Sequence, residues 1–265
     1  MNPATEALPP ALAVTREIGR LLDPIFISDL HLTQERPRTL ARFLRFMHED
    51  APAHPELVIL GDLFDFWIGD DAAAAAVPVV AALAAASRSG QRVLVMHGNR
   101  DLLLGSDFAR TTGATLVADP VTVDIAGSPT LLAHGDAWCT RDVAYQQFRA
   151  MVREPQFQRE FLAKPVSERI AVARGARMQS ETEKALKPMD IMDVTPEVVT
   201  SALAYAGVRR VIHGHTHRPG THVHEIDHAL AERWVLPDWD SDAAEPRGGF
   251  LDFAEGRPRL VFFDD

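Results

Sequence analysis

Five short segments of this 265-residue chain each close an apolar run rich in Val, Ile and Leu and offer metal-binding side chains. They are Ile27-Ser28-Asp29-Leu30-His31, Gly61-Asp62, Gly98-Asn99-Arg100-Asp101, His134-Gly135-Asp136 and His213-Gly214-His215-Thr216-His217. Ligands at the carboxyl ends of adjacent parallel strands converge on one crevice, where open α/β sheets place their sites. Oxygen and imidazole donors suit divalent ions such as Mn²⁺, Fe²⁺ or Zn²⁺. The sole cysteine, Cys139, leaves no thiolate cluster for structural zinc and reads as a small buried residue. Two ions ~3.5–4 Å apart need a bridging ligand, and Asp62 is the candidate bridge. Asp29 and His31 stand two apart, so continued extended backbone would point both side chains the same way. Together the segments describe a two-metal phosphoesterase site.

The strand and helix signals fit that placement. Pro24–Ser28, Leu57–Leu60 and Arg92–Met96 read as buried strands. Between them, Thr39–Asp50 has helical apolar spacing, and Val79–Ser87 is an Ala-rich helix stopped by Gly90. Such alternation predicts βαβαβ units with a mostly parallel sheet. Shorter strands follow at Leu116–Val117, Val121–Ile125, Thr130–Ala133 and Arg209–Ile212, with a closing hairpin at Gly249–Phe253 and Arg259–Phe263.

Asp142 to Lys187 is different. It is helical throughout, with apolar positions at Phe148, Met151, Val152, Phe157, Phe161, Leu162, Val166, Ile170 and Val172. Residues 141–187 hold ten Lys or Arg and six Asp or Glu, hence +4, against −14 for the remainder of a chain of net charge −10. We read a basic helical cap inserted at about 142–190. The sign asymmetry favours an anionic ligand or an anionic membrane surface, and the simpler alternative is a solvated helical pair. The acidic total disfavours general nucleic-acid binding. No stretch approaches the roughly 18 uninterrupted apolar residues of a transmembrane helix. A lone cysteine fits a reducing compartment. Residues 1–20 read as a disordered N-terminal tail and 21–265 as the catalytic body.

With Asp-x-His, Gly-Asp, Gly-Asn, a lone His and Gly-His-x-His in this order, the chain resembles the calcineurin-like metallophosphoesterases. The resemblance implies a four-layer α/β sandwich, two mixed β-sheets flanked by helices, carrying the helical cap. It assigns Asp29, His31, Asp62 and His217 to a first metal and Asp62, Asn99, His134 and His215 to a second. Mn²⁺ is the expected ion.

One position departs from the pattern. The wider family has histidine where Arg100 stands, and that histidine is taken to protonate the leaving oxygen. Arginine keeps its proton at any working pH. A phosphate leaving group, with a second pKa of about 6, needs little help, and a guanidinium can clamp phosphate oxygens through paired hydrogen bonds. The substitution therefore points to a pyrophosphate linkage, unless Arg100 makes only an internal ion pair.

The narrower resemblance is to the UDP-2,3-diacylglucosamine pyrophosphohydrolases of lipid A biosynthesis. It is carried by Ile27–Leu32, Gly61–Phe64, Trp67–Asp71, His97–Asp101 with Leu103-Leu104-Gly105, His134–Asp136, Ile191–Val194 and His213–Pro219. It implies water attack on the α-phosphorus of UDP-2,3-diacylglucosamine, giving UMP and 2,3-diacylglucosamine 1-phosphate. It further implies catalytic roles for Asn99, Arg100 and His215, and substrate contacts at Asn99, Arg100, Asp142, Ser180, Lys184, Lys187 and His215. Lys184 stands where the family has Asn. Apolar cap residues would line an acyl chamber, and attachment would be peripheral, at the cytoplasmic face of the inner membrane. Trp234–Asp240 departs from the enterobacterial pattern, and His222, His224 and His228 read as surface residues. The alternatives are a soluble nucleotide phosphodiesterase or phosphatase, which needs no such cap, a protein-interaction scaffold, which has no use for a complete ligand set, and a membrane-surface module, which leaves that set unexplained.

Overall fold

A computed structural model describes residues 18–186, 191 and 193–264, the side chains of 180–186 excepted. One mixed sheet is built from β2 (Pro24–Ile27), β3 (Glu56–Leu60), β4 (Arg92–Met96), β5 (Thr115–Val117), β11 (Gly249–Ala254) and β12 (Arg257–Phe262), in the order β12-β11-β2-β3-β4-β5. The other contains β1 (Arg20–Leu21), β6 (Val121–Ile125), β7 (Ser128–Ala133), β8 (Arg210–His213), β9 (Gly220–Ile226) and β10 (Ala229–Val235), in the order β1-β6-β7-β8-β10-β9.

Alternation along the strands explains the layering. Phe26, Val58, Leu60, Leu94 and Met96 point from the first sheet towards Val121, Val123, Ile125, Leu132 and Ile212 of the second, forming the inter-sheet core. The opposite residues, Ile25, Ile27, Leu57, Ile59, Val93 and Val95, pack on α1 (Pro37–Glu49), α2 (Val77–Arg88) and α3 (Ser106–Thr112) through Phe43, Phe46, Val79, Leu83 and Phe108. On the far side, Leu131, Ala133 and Val211 pack against Val199, Ala202 and Leu203 of α7 (Pro196–Ala206). The result is the expected four-layer sandwich. Asp70–Arg88 is apolar and long enough to cross a membrane by composition, but Val79 and Leu83 spend that apolar character on the core.

The insert folds as α4 (Val143–Arg153), α5 (Pro155–Leu162) and α6 (Val166–Leu186). Two ionic contacts dock it, one at an exposed carboxylate and one at a buried carboxylate. Arg169 of α6, 2% exposed, donates to Asp71 and to the Ile68 carbonyl. Asp136, fully buried, accepts from the Tyr145 hydroxyl (2.8 Å), Arg149 Nε (2.9 Å) and Arg153 (3.4 Å) of α4.

Several expectations need correction. The ordered body starts before residue 21: Ile18 is buried and Arg20 pairs with Asp124, so the tail expected over 1–20 stops short of them. Residues 1–17 lie outside the described residues. The hairpin β9–β10 and helices α3 and α7 were not anticipated. His222, His224 and His228 belong to this hairpin; His222 and His228 are exposed and His224 is half-buried. Cys139 is buried, as expected.

Candidate metal centre

The five segments meet at one edge of the sandwich, and their backbone is not extended there. Asp29 (φ 56°), His31 (φ 49°), Asp62 (φ 53°), His215 (φ 69°) and His217 (φ 53°) all occupy the left-handed region, which non-glycine residues seldom enter and which clusters at functional sites. The extended run expected through Asp29 and His31 is thus replaced by tight turns after each strand. The turns are braced. Asp29 N donates to Gly61 O (3.1 Å) and His31 N to Asp62 O (3.0 Å). The buried Asp101 carboxylate accepts from Gly98 N (2.8 Å) and Leu63 N (2.8 Å), tying two ligand loops together. A Cβ on Gly98 would collide with the Asp62 carboxylate, which explains glycine before Asn99.

The donors form two overlapping groups, Asp29-His31-His217 and Asp29-Asp62-His134, with ligand atoms within 4.8 Å of one another in each. Asp62 lies between them: its Oδ2 is 3.8 Å from His31 Nδ1 and its Oδ1 is 3.8 Å from His134 Nε2. Asp29 reaches both groups as well. Its Oδ2 accepts from Ser28 Oγ (2.6 Å) and His215 N (2.7 Å). Its buried Oδ1 accepts no hydrogen bond and faces His217 Nε2 at 3.6 Å. His134 Nδ1–H donates to the Leu60 carbonyl (2.9 Å), which aims Nε2 at Asn99 Oδ1, 3.0 Å away. Two acceptor-type atoms at that spacing require a cation or a proton between them. An imidazole pair, His31 and His217, brings its Nε2 atoms to 3.3 Å. His215 packs edge-on against His134 at 5.0 Å and alongside Tyr145 at 5.8 Å.

The electrostatics point the same way. Burial pushes Asp62 up to about 6. Burial acts upward on Asp29 too, but His217, His134 and His31 hold it well below the usual carboxylate range. Burial disfavours charge on His134, yet Asp62, Asp29, Asp136 and Asp119 pull it up to about 9. A buried orphan oxygen, converging imidazoles and excess carboxylate charge fit divalent metal ions. His213, by contrast, is pushed down to about 3 by burial and by Arg233, whose Nη1 is 3.4 Å from its Nε2. His213, the histidine just before Gly-His-x-His, is a neutral packing residue.

The guanidinium of Arg100 lies 3.9 Å from Asp62 and 3.6 Å from Asp65, over a cleft also lined by His31, Arg177 and His217. Asp142 caps α4 by accepting from Tyr145 N. The side chains of Ser180 and Lys184, and all of Lys187, lie outside the described residues.

Sequence reasoning missed Asp65, Tyr145, Arg177 and Asp238. Arg177 counted there only as cap charge, yet it pairs with Asp65. Asp238 lies in the segment that departed from pattern: its Oδ2 is 3.4 Å from His217 Nδ1 and accepts from Arg247 Nε (2.7 Å). A carboxylate behind a ligating histidine fixes its ring and raises its basicity. Asp238→Asn is therefore expected to weaken divalent-metal binding by about 10- to 100-fold, read by calorimetric titration. Unchanged affinity would remove this role.

A family model for calcineurin-like phosphoesterases matches residues 24–219. A UDP-2,3-diacylglucosamine hydrolase of Bordetella pertussis is 48% identical over 238 residues, 87% of this chain and 92% of that protein. A protein of the same name from Ralstonia nicotianae is 46% identical, covering 93% of this chain and 95% of its own length. Among solved structures, Vps29 of Entamoeba histolytica, complexed with Zn²⁺, aligns over 91% of this chain and 98% of its own at 12% identity, with a TM-score of 0.40.

Proposed function

The chain belongs to the calcineurin-like phosphoesterase family, and we propose that it hydrolyses the pyrophosphate bond of UDP-2,3-diacylglucosamine to UMP and 2,3-diacylglucosamine 1-phosphate. Relatives of that name match it at 46–48% identity over most of its length. The observation that carries the reading is the guanidinium of Arg100 beside the metal ligands, 3.9 Å from Asp62, in the place of a proton-donating imidazole.

Asp29, His31, Asp62 and His217 would hold one ion, and Asp62, Asn99, His134 and His215 a second, with Mn²⁺ the proposed metal. Such ions supply water activation and neutralise phosphoryl charge. The chain's own groups do the rest. Arg100 grips the pyrophosphate oxygens and stabilises the charge that grows on the departing phosphate, which leaves without a proton. Arg177, on the cap side of the same cleft, adds a second cation near that phosphate. Asp65, 3.6 Å from Arg100 and paired with Arg177, keeps both guanidinium groups facing the cleft before substrate arrives. Asn99, His215 and Asp142 are the remaining substrate contacts we propose, with Ser180, Lys184 and Lys187.

The cap presents Val143, Phe148, Met151, Leu162, Val166 and Val172 as exposed apolar groups amid a +4 segment. This supports its use for acyl chains and for peripheral contact with the cytoplasmic face of the inner membrane. Co-sedimentation with anionic vesicles, lost at high salt, is the expected sign of that contact; no co-sedimentation at low salt would remove it.

Purified protein with Mn²⁺ should turn over UDP-2,3-diacylglucosamine far faster than an unacylated UDP-sugar or bis-p-nitrophenyl phosphate. Activity on the latter two with none on the first would return the chain to the soluble phosphodiesterase reading.

A further inference from the structure

A UDP-linked lipid extends from its pyrophosphate in two directions. Arg100 and Arg177 account for the phosphates and the cap for the lipid end. Beyond His217 a separate cavity of about 320 Å³ opens, and no cap residue lines it. His217, Asp238 and Arg247 form part of its wall and also line the Arg100 cleft. The two spaces therefore meet at a metal-ligating histidine, and a substrate centred on the metals has a path into both.

The chemistry of this second space is not that of a phosphate or an acyl site. Pro219, Pro237 and Phe262 give it flat apolar walls. Phe262, at the end of β12, is 53% exposed although its β11 partner Gly249 is buried. Its mouth holds a nearly buried carboxylate, Asp238, paired with the half-exposed Arg247. A flat apolar slot bordered by an acceptor suits a base joined to a ribose diol: the base lies against an aromatic face, and ribose hydroxyls donate to the carboxylate.

We propose that this cavity holds the uridine half of the substrate, with the uracil against Phe262 and the prolines and the ribose hydroxyls donating to Asp238. The assignment rests on the UDP-sugar reading of the site. It sets the direction of the bound substrate: lipid towards the cap, pyrophosphate under Arg100, nucleoside towards the β11–β12 edge. It also makes Phe262 a specificity-determining residue, because an unacylated nucleotide still has this slot to fill.

The test is calorimetric titration of the full-length, Mn²⁺-loaded protein with UMP and with ribose 5-phosphate, which lacks the base. Phe262→Ala should weaken UMP binding about tenfold, the low end of base–aromatic stacking, and leave ribose 5-phosphate unchanged. Phe262→Trp should restore UMP affinity. In turnover of UDP-2,3-diacylglucosamine, Phe262→Ala should raise KM with little change in kcat. Thermal unfolding of each variant confirms that it is folded. Equal UMP affinity in wild type and Phe262→Ala, parallel losses for both ligands, or no UMP binding by the wild type would overturn the assignment. Weaker binding of the diacyl product alone in Phe262→Ala would give the cavity to an acyl chain and equally overturn it. A wild type that binds UMP through Phe262 but does not hydrolyse the lipid substrate would instead sink the proposed reaction and leave the nucleotide site standing.

Discussion

Replacing Arg100 by alanine is expected to lower kcat/KM for UDP-2,3-diacylglucosamine by about 10²- to 10³-fold, the range measured when a donor aimed at developing oxyanion charge is removed. The variant should remain folded. Among the described residues Arg100 makes no close side-chain hydrogen bond; its nearest carboxylates there are 3.6 and 3.9 Å away. Asp65 retains Arg177 as a partner when Arg100 is gone. The loop geometry is held by main-chain contacts that alanine preserves, Arg100 N to Asp62 Oδ1 at 2.9 Å and Trp67 N to Arg100 O at 3.0 Å. Arg100→Lys keeps the charge but loses the planar fork, so it should recover only part of the rate. Steady-state kinetics on the three proteins decide the matter; wild-type turnover in the alanine variant would end the case for a phosphate clamp.

The second large effect concerns stability. Asp136→Ala removes the buried acceptor shared by Tyr145, Arg149 and Arg153. Burial opposes its charge, but Arg149, His134 and Arg153 hold this carboxylate well below its usual range, so it is ionised at neutral pH. Removing one member of a buried ionic cluster costs ~3–5 kcal/mol because the others are left uncompensated. Asp119, 4.0 Å from Arg149, takes over part of the pairing and puts the expected loss near the lower end, about 3 kcal/mol. Urea unfolding measures it, and a change below ~1 kcal/mol would mean that α4 is docked by its apolar contacts. The same variant should loosen the cap, which limited proteolysis between 143 and 186 would report as faster cleavage. Asp136 follows the candidate ligand His134 by two residues, so cap docking and the geometry of the candidate metal centre share one short segment. KM for the lipid substrate should rise more than KM for an unacylated nucleotide.

The chemistry was legible because it depends on residue type and order. Asp29, His31, Asp62, Asn99, His134, His215 and His217 follow short, nearly continuous apolar runs, and such runs are a local property that predicts the buried strands β2, β3, β4, β7 and β8. The hairpin β9–β10 was not legible: His222, Val223, His224 and Leu230 give it no clean alternation, and it forms because Arg233 and Trp234 find register against Val211 and Ile212. Helix α3 is seven residues long, too short for a periodic signal, and Asp70 caps it from outside by accepting from Gly105, Asp107 and Phe108 N–H groups.

Residue identity and order alone thus pointed to the reaction class and to a candidate ligand set, with Arg100 as the pointer to the kind of bond. Tertiary structure decided how those residues act. It turned the candidate ligands out of the strands at left-handed positions, set Asp238 behind His217, paired Asp65 with Arg177 across more than a hundred residues of chain, and opened a cavity of about 320 Å³ beside His217. Each of these depends on which strands neighbour one another and on how loops far apart in sequence pack together. Local periodicity carries no record of such contacts, because their energies exist only once the two sheets have closed on each other.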